Sequence, residues 1–151
     1  MVSEKIIIHA PVTHVFDVFT RELGDWWPPD LTFSGADFQA AGSEHLQGGN
    51  WFEVNRSGIR TDWGEVLVWQ PPERVILSWR VSVTRTQEPP DKASQVEFRF
   101  QVAEPDSTEV LVQHSNFARH GKAAEAMRAG MASDAGWRAI LASLRDHAAT
   151  H

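Results

Sequence analysis

Three polar side chains stand where a strand pattern calls for apolar ones. Glu53 shares a face with Trp51 in the run Asn50 to Asn55. Glu65 sits between Trp63 and Leu67 in Asp62 to Gln70, and His114 follows Val110 and Val112 in Thr108 to Asn116. A carboxylate or imidazole on the dry side of a strand needs a partner, a water or a ligand, because burying it alone costs several kcal/mol or shifts its pKa until it is neutral. Two chemistries suit such groups. A buried Glu65 could abstract a proton with His114 as the acid partner, as in aldol-type cyclisation or isomerisation, if both come within about 3 Å of the reacting atoms. Alternatively the same groups orient a hydroxyl or carbonyl of a bound molecule while aromatic walls hold it. Each has a plainer reading: Glu53 at an exposed edge or bulge, Glu65 at the sheet rim, His114 as a hydrogen-bonded structural histidine. Asp134 either approaches the interior from the last helix or is exposed.

The walls are well supplied. The chain has seven tryptophans and eight phenylalanines but no tyrosine, so much aromatic mass must be buried or line something. Trp26, Trp27, Trp63, Trp79, Phe98, Phe100, Met127, Met131 and Trp137 are the candidate lining, joined by Glu53, Glu65 and His114. Trp26 and Trp27 are adjacent and cannot both point inward from a regular helix. Either one packs while the other borders a cavity or partner surface, or the pair plugs a loop.

Other chemistries find little support. There is no cysteine, which excludes disulfides, cysteine nucleophiles and thiolate metal sites. Histidines stand at 9, 14, 45, 114, 120, 147 and 151 without HExxH or a two-histidine, one-carboxylate spacing. His147 and His151 are four apart, at an end expected to fray. No phosphate-binding glycine loop, dinucleotide fingerprint or nucleophile elbow is present, so neither cofactor nor metal is expected. The formal charge of −6 and scattered basic residues disfavour a nucleic-acid partner. No run reaches the ~20 apolar residues of a membrane span, and no signal peptide is read at the start, so the expected location is cytoplasmic. A homodimer is a common outcome for such a chain, though no interface can be named.

The elements that must position these groups follow from periodicity. Ser3 to His9 reads as a strand. Val12 to Thr20 reads as a helix after Pro11, with a second short helix from Arg21 to Trp26. From about 43 to 116, alternating runs separated by turn signals read as an antiparallel meander. Its dry stripes include Val75, Leu77, Trp79, Val81 and Val83, then Val96, Phe98, Phe100 and Val102. Gly121 to Ala148 reads as one long helix of about 40 Å at ~1.5 Å per residue, with Met127, Met131, Trp137, Ile140, Leu141 and Leu144 on one face. Gly130 and Gly136 interrupt it, either permitting a bend or close approach, or as tolerated defects. Sheet and helix each have one apolar side and should bury one another as a single α+β domain spanning 1–151.

Four marks carry a resemblance. They are Ala10-Pro11 with Val15-Phe16 and Phe19; Trp26-Trp27; Gly48-Gly49 with Trp51-Phe52, Gly64-Glu65-Val66, Pro71-Pro72-Glu73-Arg74-Val75 and Trp79; and Gly136-Trp137 with Leu141 and Leu144. Their order resembles the START-like (SRPBCC) superfamily, and within it the branch related to the activator of the 90-kDa heat-shock-protein ATPase. The resemblance implies a helix-grip fold. A curved antiparallel sheet of about seven strands would wrap a long C-terminal helix, with two short helices after strand one. It also implies a cavity between sheet and helix for a small apolar or aromatic molecule. A cofactor-independent cyclase or isomerase and a chaperone-interaction domain are the alternatives it leaves open.

Overall fold

The computed structural model describes residues 1–151. Seven strands form one antiparallel sheet: β1 (Val2–Ile8), β2 (Phe38–Ser43), β3 (Asn50–Asn55), β4 (Arg60–Gln70), β5 (Arg74–Trp79), β6 (Ser94–Glu104) and β7 (Ser107–Ser115). Their order is β1-β7-β6-β5-β4-β3-β2, so the meander closes back on the first strand. Two helices follow β1, α1 (Val12–Arg21) and α2 (Leu23–Trp26), and two end the chain, α3 (Ala124–Ala132) and α4 (Trp137–Thr150). This is the helix-grip architecture expected above.

Alternation sets which face is dry. In β6 and β7 the pairs Val96↔His114, Phe98↔Val112 and Phe100↔Val110 all face inward and are buried. The α4 residues Trp137, Ile140, Leu141, Leu144 and Ala148 form the matching stripe and are buried too. Val15, Phe16, Val18 and Phe19 of α1 close one end, where Phe19 meets Phe98 at 4.6 Å and Phe100 at 5.3 Å between ring centroids. The apolar stripe read through Val83 stops short: β5 ends at Trp79 and Val83 is exposed. The meander begins earlier than the expected residue 43, with the edge strand β2 at Phe38–Ser43.

The single terminal helix is not what forms. The segment breaks between Ala132 and Trp137, and Gly136 takes φ −91°, ψ −128°, outside the helical region. A Cβ there would lie 2.3 Å from the Met131 carbonyl and 2.6 Å from that of Gly130, so only glycine fits the corner. Gly130 has open space around it and is simply a helical glycine. The periodicity survived the break because both pieces lay their apolar sides on the same sheet.

Candidate functional site

Six tryptophans are buried: 26, 27, 51, 63, 79 and 137. Trp26 and Trp27 both go inside, because α2 ends between them and Trp27 has extended backbone, φ −66° and ψ 130°. Trp27 is the hub. Its ring lies 4.8 Å from Trp63, 5.9 Å from Trp51 and 6.2 Å from both Trp79 and Trp137. The space between sheet and α4 is therefore filled by indoles. The void beside Phe19, Leu23 and Trp51 measures only about 10 Å³, room for roughly one water.

An indole N–H is a donor with no acceptor role, so each buried one needs an oxygen or nitrogen nearby. Five have one. Trp26 donates to Val18 O at 3.0 Å, Trp27 to Leu31 O at 3.2 Å and Trp51 to Ser78 O at 3.0 Å. Trp63 donates to Glu53 Oε1 at 2.5 Å and Trp137 to His114 Nδ1 at 3.1 Å. Trp79 Nε1 is buried with no partner.

Glu53 is fully buried, as its shared parity with Trp51 suggested; the exposed-edge alternative does not hold. Besides Trp63 it accepts the backbone N–H groups of Phe33 and Ser34, each at 2.8 Å. The carboxylate thus ties β3 to β4 and to the loop following the Pro29–Leu31 turn.

Glu65 is a correction: it is exposed and stays out of the interior. The register between β3 and β4 slips at Trp51/Phe52, and that between β4 and β5 at Val66/Val68. The first bulge reverses the alternation, so Trp63 and Val66 both face inward and Glu65 outward. Gly64 makes it possible, since a Cβ there would fall 1.8 Å from Ser78 O. An acid–base pair of Glu65 with His114 is therefore not assembled. Asp134 is exposed as well, paired with Arg138 at 2.8 Å.

His114 is fully buried and belongs to a chain of polar groups. Its Nε2 lies 2.7 Å from Ser94 Oγ, which lies 2.7 Å from His120 Nε2, whose Nδ1 lies 2.7 Å from Glu88 Oε2. With both imidazoles neutral, the direction of every bond follows from one end. Trp137 can only donate, so His114 Nδ1 accepts and its proton is on Nε2. Ser94 receives that proton's bond and gives its own hydrogen to His120 Nε2, leaving His120 Nδ1–H for the carboxylate. Burial first, then the nearby His120 and the N-terminal ammonium, push His114 down to about 3. Ser94, His120 and Glu88 were missed in the sequence. Ser94 carried a signal, being the polar member of the dry parity of Val96, Phe98 and Phe100; Glu88, in a loop, carried none.

A groove of about 250 Å³ lies beside α3, lined by Leu31, Val83, Met127, Met131 and neighbours. Met127 and Met131 are buried against the core from α3. Leu31 links groove and cluster, because its carbonyl holds the Trp27 indole.

Comparison with known proteins fits this geometry. The family model for activator of Hsp90 ATPase homolog 1-like proteins matches residues 9–149. The chain belongs to this family. Among curated proteins none matches it. Solved structures similar to this member include the anthrahydroquino-gamma-pyrone synthase Txn09, complexed with SUM. It shares 29% identity and a TM-score of 0.69, over 96% of this chain and 94% of that one. The self-sacrificing resistance protein CalC from Micromonospora echinospora shares 26% identity and a TM-score of 0.66, over 97% and 92%. The Aha1 dimer from Colwellia psychrerythraea, at 20% identity and TM-score 0.66 over 99% and 96%, shares the fold. No helix is long and apolar enough to cross a membrane.

Proposed function

We propose that this family member binds a flat aromatic small molecule bearing an oxygen acceptor, which enters through the α3 groove and takes the place of the Trp27 ring. One observation carries the reading: five of the six buried tryptophans have an acceptor and Trp79 does not. Leaving a buried donor unmade costs about 1–3 kcal/mol, and such orphans in native proteins call for an explanation. A carbonyl stacked among Trp51, Trp79 and Trp137 would supply the missing acceptor while the indoles supply affinity.

Trp27 is suited to move. It follows a helix end, precedes Pro28-Pro29, and its indole makes a single hydrogen bond, to a groove residue. A relative named for making an anthrahydroquino-gamma-pyrone, an oxygenated flat aromatic, supports this ligand class. Binding is favoured over proton-transfer chemistry because both nitrogens of His114 are committed, one to Trp137 and one to Ser94.

The chain has no tyrosine, so its intrinsic emission comes from tryptophan and reports on the cluster directly. Titration with a hydroxyanthraquinone should quench it saturably. Trp79→Phe keeps the ring and removes the N–H, and should weaken binding about 2- to 10-fold, the worth of one neutral hydrogen bond. Equal affinity in that variant, or no saturable quenching of the unmodified protein, would refute the proposal.

A further inference from the structure

The last turn of α4 carries a second grouping, remote from the indoles in chemistry. α4 runs to Thr150 and so includes His147, and the His147 and His151 rings stack with centroids 3.9 Å apart at 14°. His147 faces the elbow between α1 and α2. Its Nε2 lies 3.0 Å from Glu22 Oε1, and the Asp25 carboxylate completes a trio whose ligand atoms all fall within 4.8 Å of one another.

The two supports of this trio are held together without it. Asp25 N donates to Glu22 O at 2.9 Å, fixing the elbow, and Gly24 lies so close to β2 that a Cβ would be 2.5 Å from Ala41 N. Across the gap, His14 Nε2 meets Ala148 O at 3.0 Å, and Ser143 Oγ donates to Trp26 O. The trio is therefore preplaced by backbone contacts on both sides. No arginine or lysine offsets its carboxylates: Glu22 meets only His147, Asp25 makes no ion pair, and neighbouring Arg21 turns to Asp17. Two carboxylates converge on one imidazole with no arginine or lysine between them.

We propose that Glu22, Asp25 and His147 form a binding site for a divalent first-row transition-metal ion of the zinc class. One imidazole nitrogen with two carboxylate oxygens suits Zn²⁺ and its neighbours better than Mg²⁺ or Ca²⁺, which prefer all-oxygen shells. The spacing is close to what is needed. Ligand atoms ~2.0–2.1 Å from a tetrahedral ion stand roughly 3.3 Å apart, so the His147–Glu22 pair needs little movement. Asp25, exposed, has the rotamer freedom to close the remaining gap. Three protein ligands leave the fourth position to water. His151 is not a ligand. Its Nδ1 bonds to the His147 carbonyl at 3.0 Å, and its ring covers the His147 imidazole. The bound ion would clamp the last turn of α4 to the elbow from which Trp26 and Trp27 depart.

The test is calorimetric titration of ZnCl₂ into the tag-free full chain after chelator treatment, with MgCl₂ as control. One Zn²⁺ should bind per chain and Mg²⁺ should give no heat. His147→Ala should lower Zn²⁺ affinity at least about 10–100-fold, a range that loss of outer-shell partners alone can reach. Asp25→Asn, at an exposed position with little risk to folding, should lower affinity and abolish the Zn²⁺-induced rise in melting temperature; His151→Ala should keep both. Wild-type affinity in both His147→Ala and Asp25→Asn would put the ion elsewhere, and absence of Zn²⁺ binding by the unmodified chain would remove the site. Neither result bears on quenching by aromatic ligands.

Discussion

Two buried polar assemblies lie under the same sheet, and they handle their charge differently. At the β3–β4 end, Glu53 is closed off by three donors, two of them backbone N–H groups that cannot move without moving the chain. At the β6–β7 end, His114, Ser94, His120 and Glu88 pass hydrogen bonds from side chain to side chain with no backbone group among them. The first is a staple that fixes the loop behind Leu31. The second is a relay of side chains in which each bond's direction is set by its neighbour's. Trp79 stands between them, its ring 5.7 Å from Trp51 on one side and 5.7 Å from His114 on the other. The difference teaches that a buried titratable side chain is not itself a sign of reactivity; what its partners can exchange decides that.

The largest effect should come from breaking both at once. Trp79→Ala should cost about 3–5 kcal/mol of stability in a denaturant melt, the usual range for deleting a large core side chain. Near-wild-type stability would mean that the ring supports neither assembly. The staple alone is tested by Glu53→Gln, which keeps the shape but turns one acceptor atom into a donor facing a buried donor. It should cost about 1–3 kcal/mol.

The chain of histidines is tested by acid. His114 is held neutral down to about 3, whereas the unfolded chain takes up its proton near the ordinary 6.5. The unfolded state therefore binds more protons between those values, and stability must rise with pH there. The slope should be at most about 1.4 kcal/mol per pH unit from this one residue. The contribution is lost as pH falls through the window and is flat above it. Trp137→Phe sharpens the point. It removes the donor that occupies His114 Nδ1, should cost about 0.5–1.5 kcal/mol at neutral pH, and should make the acid limb shallower by letting Nδ1 take a proton. An unchanged limb would mean that the Trp137 bond does not set the proton order.

Much of this architecture could be read beforehand. Alternation in β6 and β7 holds up to the irregularity at Val102/Glu104, so the inward positions of Phe98, Phe100 and His114 followed from counting residues, whereas Val102, counted with them, is exposed. The stripe of α4 followed from helical spacing. What failed did so at irregularities. In β4 the bulge opposite Trp51/Phe52 reverses the parity, and the count that placed Glu65 inside had no way to register it. The corner at Gly136 looked like a bend in one helix because the contact that demands glycine is with the Met131 carbonyl, a neighbour visible only once folded. Partners supplied by loops were out of reach for the same reason: nothing in the run around Glu88 or Phe33 points across the sheet. Trp27 showed the reverse, since two adjacent tryptophans signalled importance while the end of α2 decided that both would be buried.

The central claim is that Trp27 and Trp79 mark a ligand position inside a cluster whose other buried indoles all have acceptors. The seven indole N–H signals of the ¹⁵N-labelled protein test it most directly, each assigned by substitution to one tryptophan and followed while a hydroxyanthraquinone is added. The account predicts that the Trp27 and Trp79 signals shift most and that the signal of Trp69, whose ring meets Phe16 and His45 and none of the other tryptophans, barely moves. Shifts confined to Trp69, or equal small shifts at all seven, would contradict it.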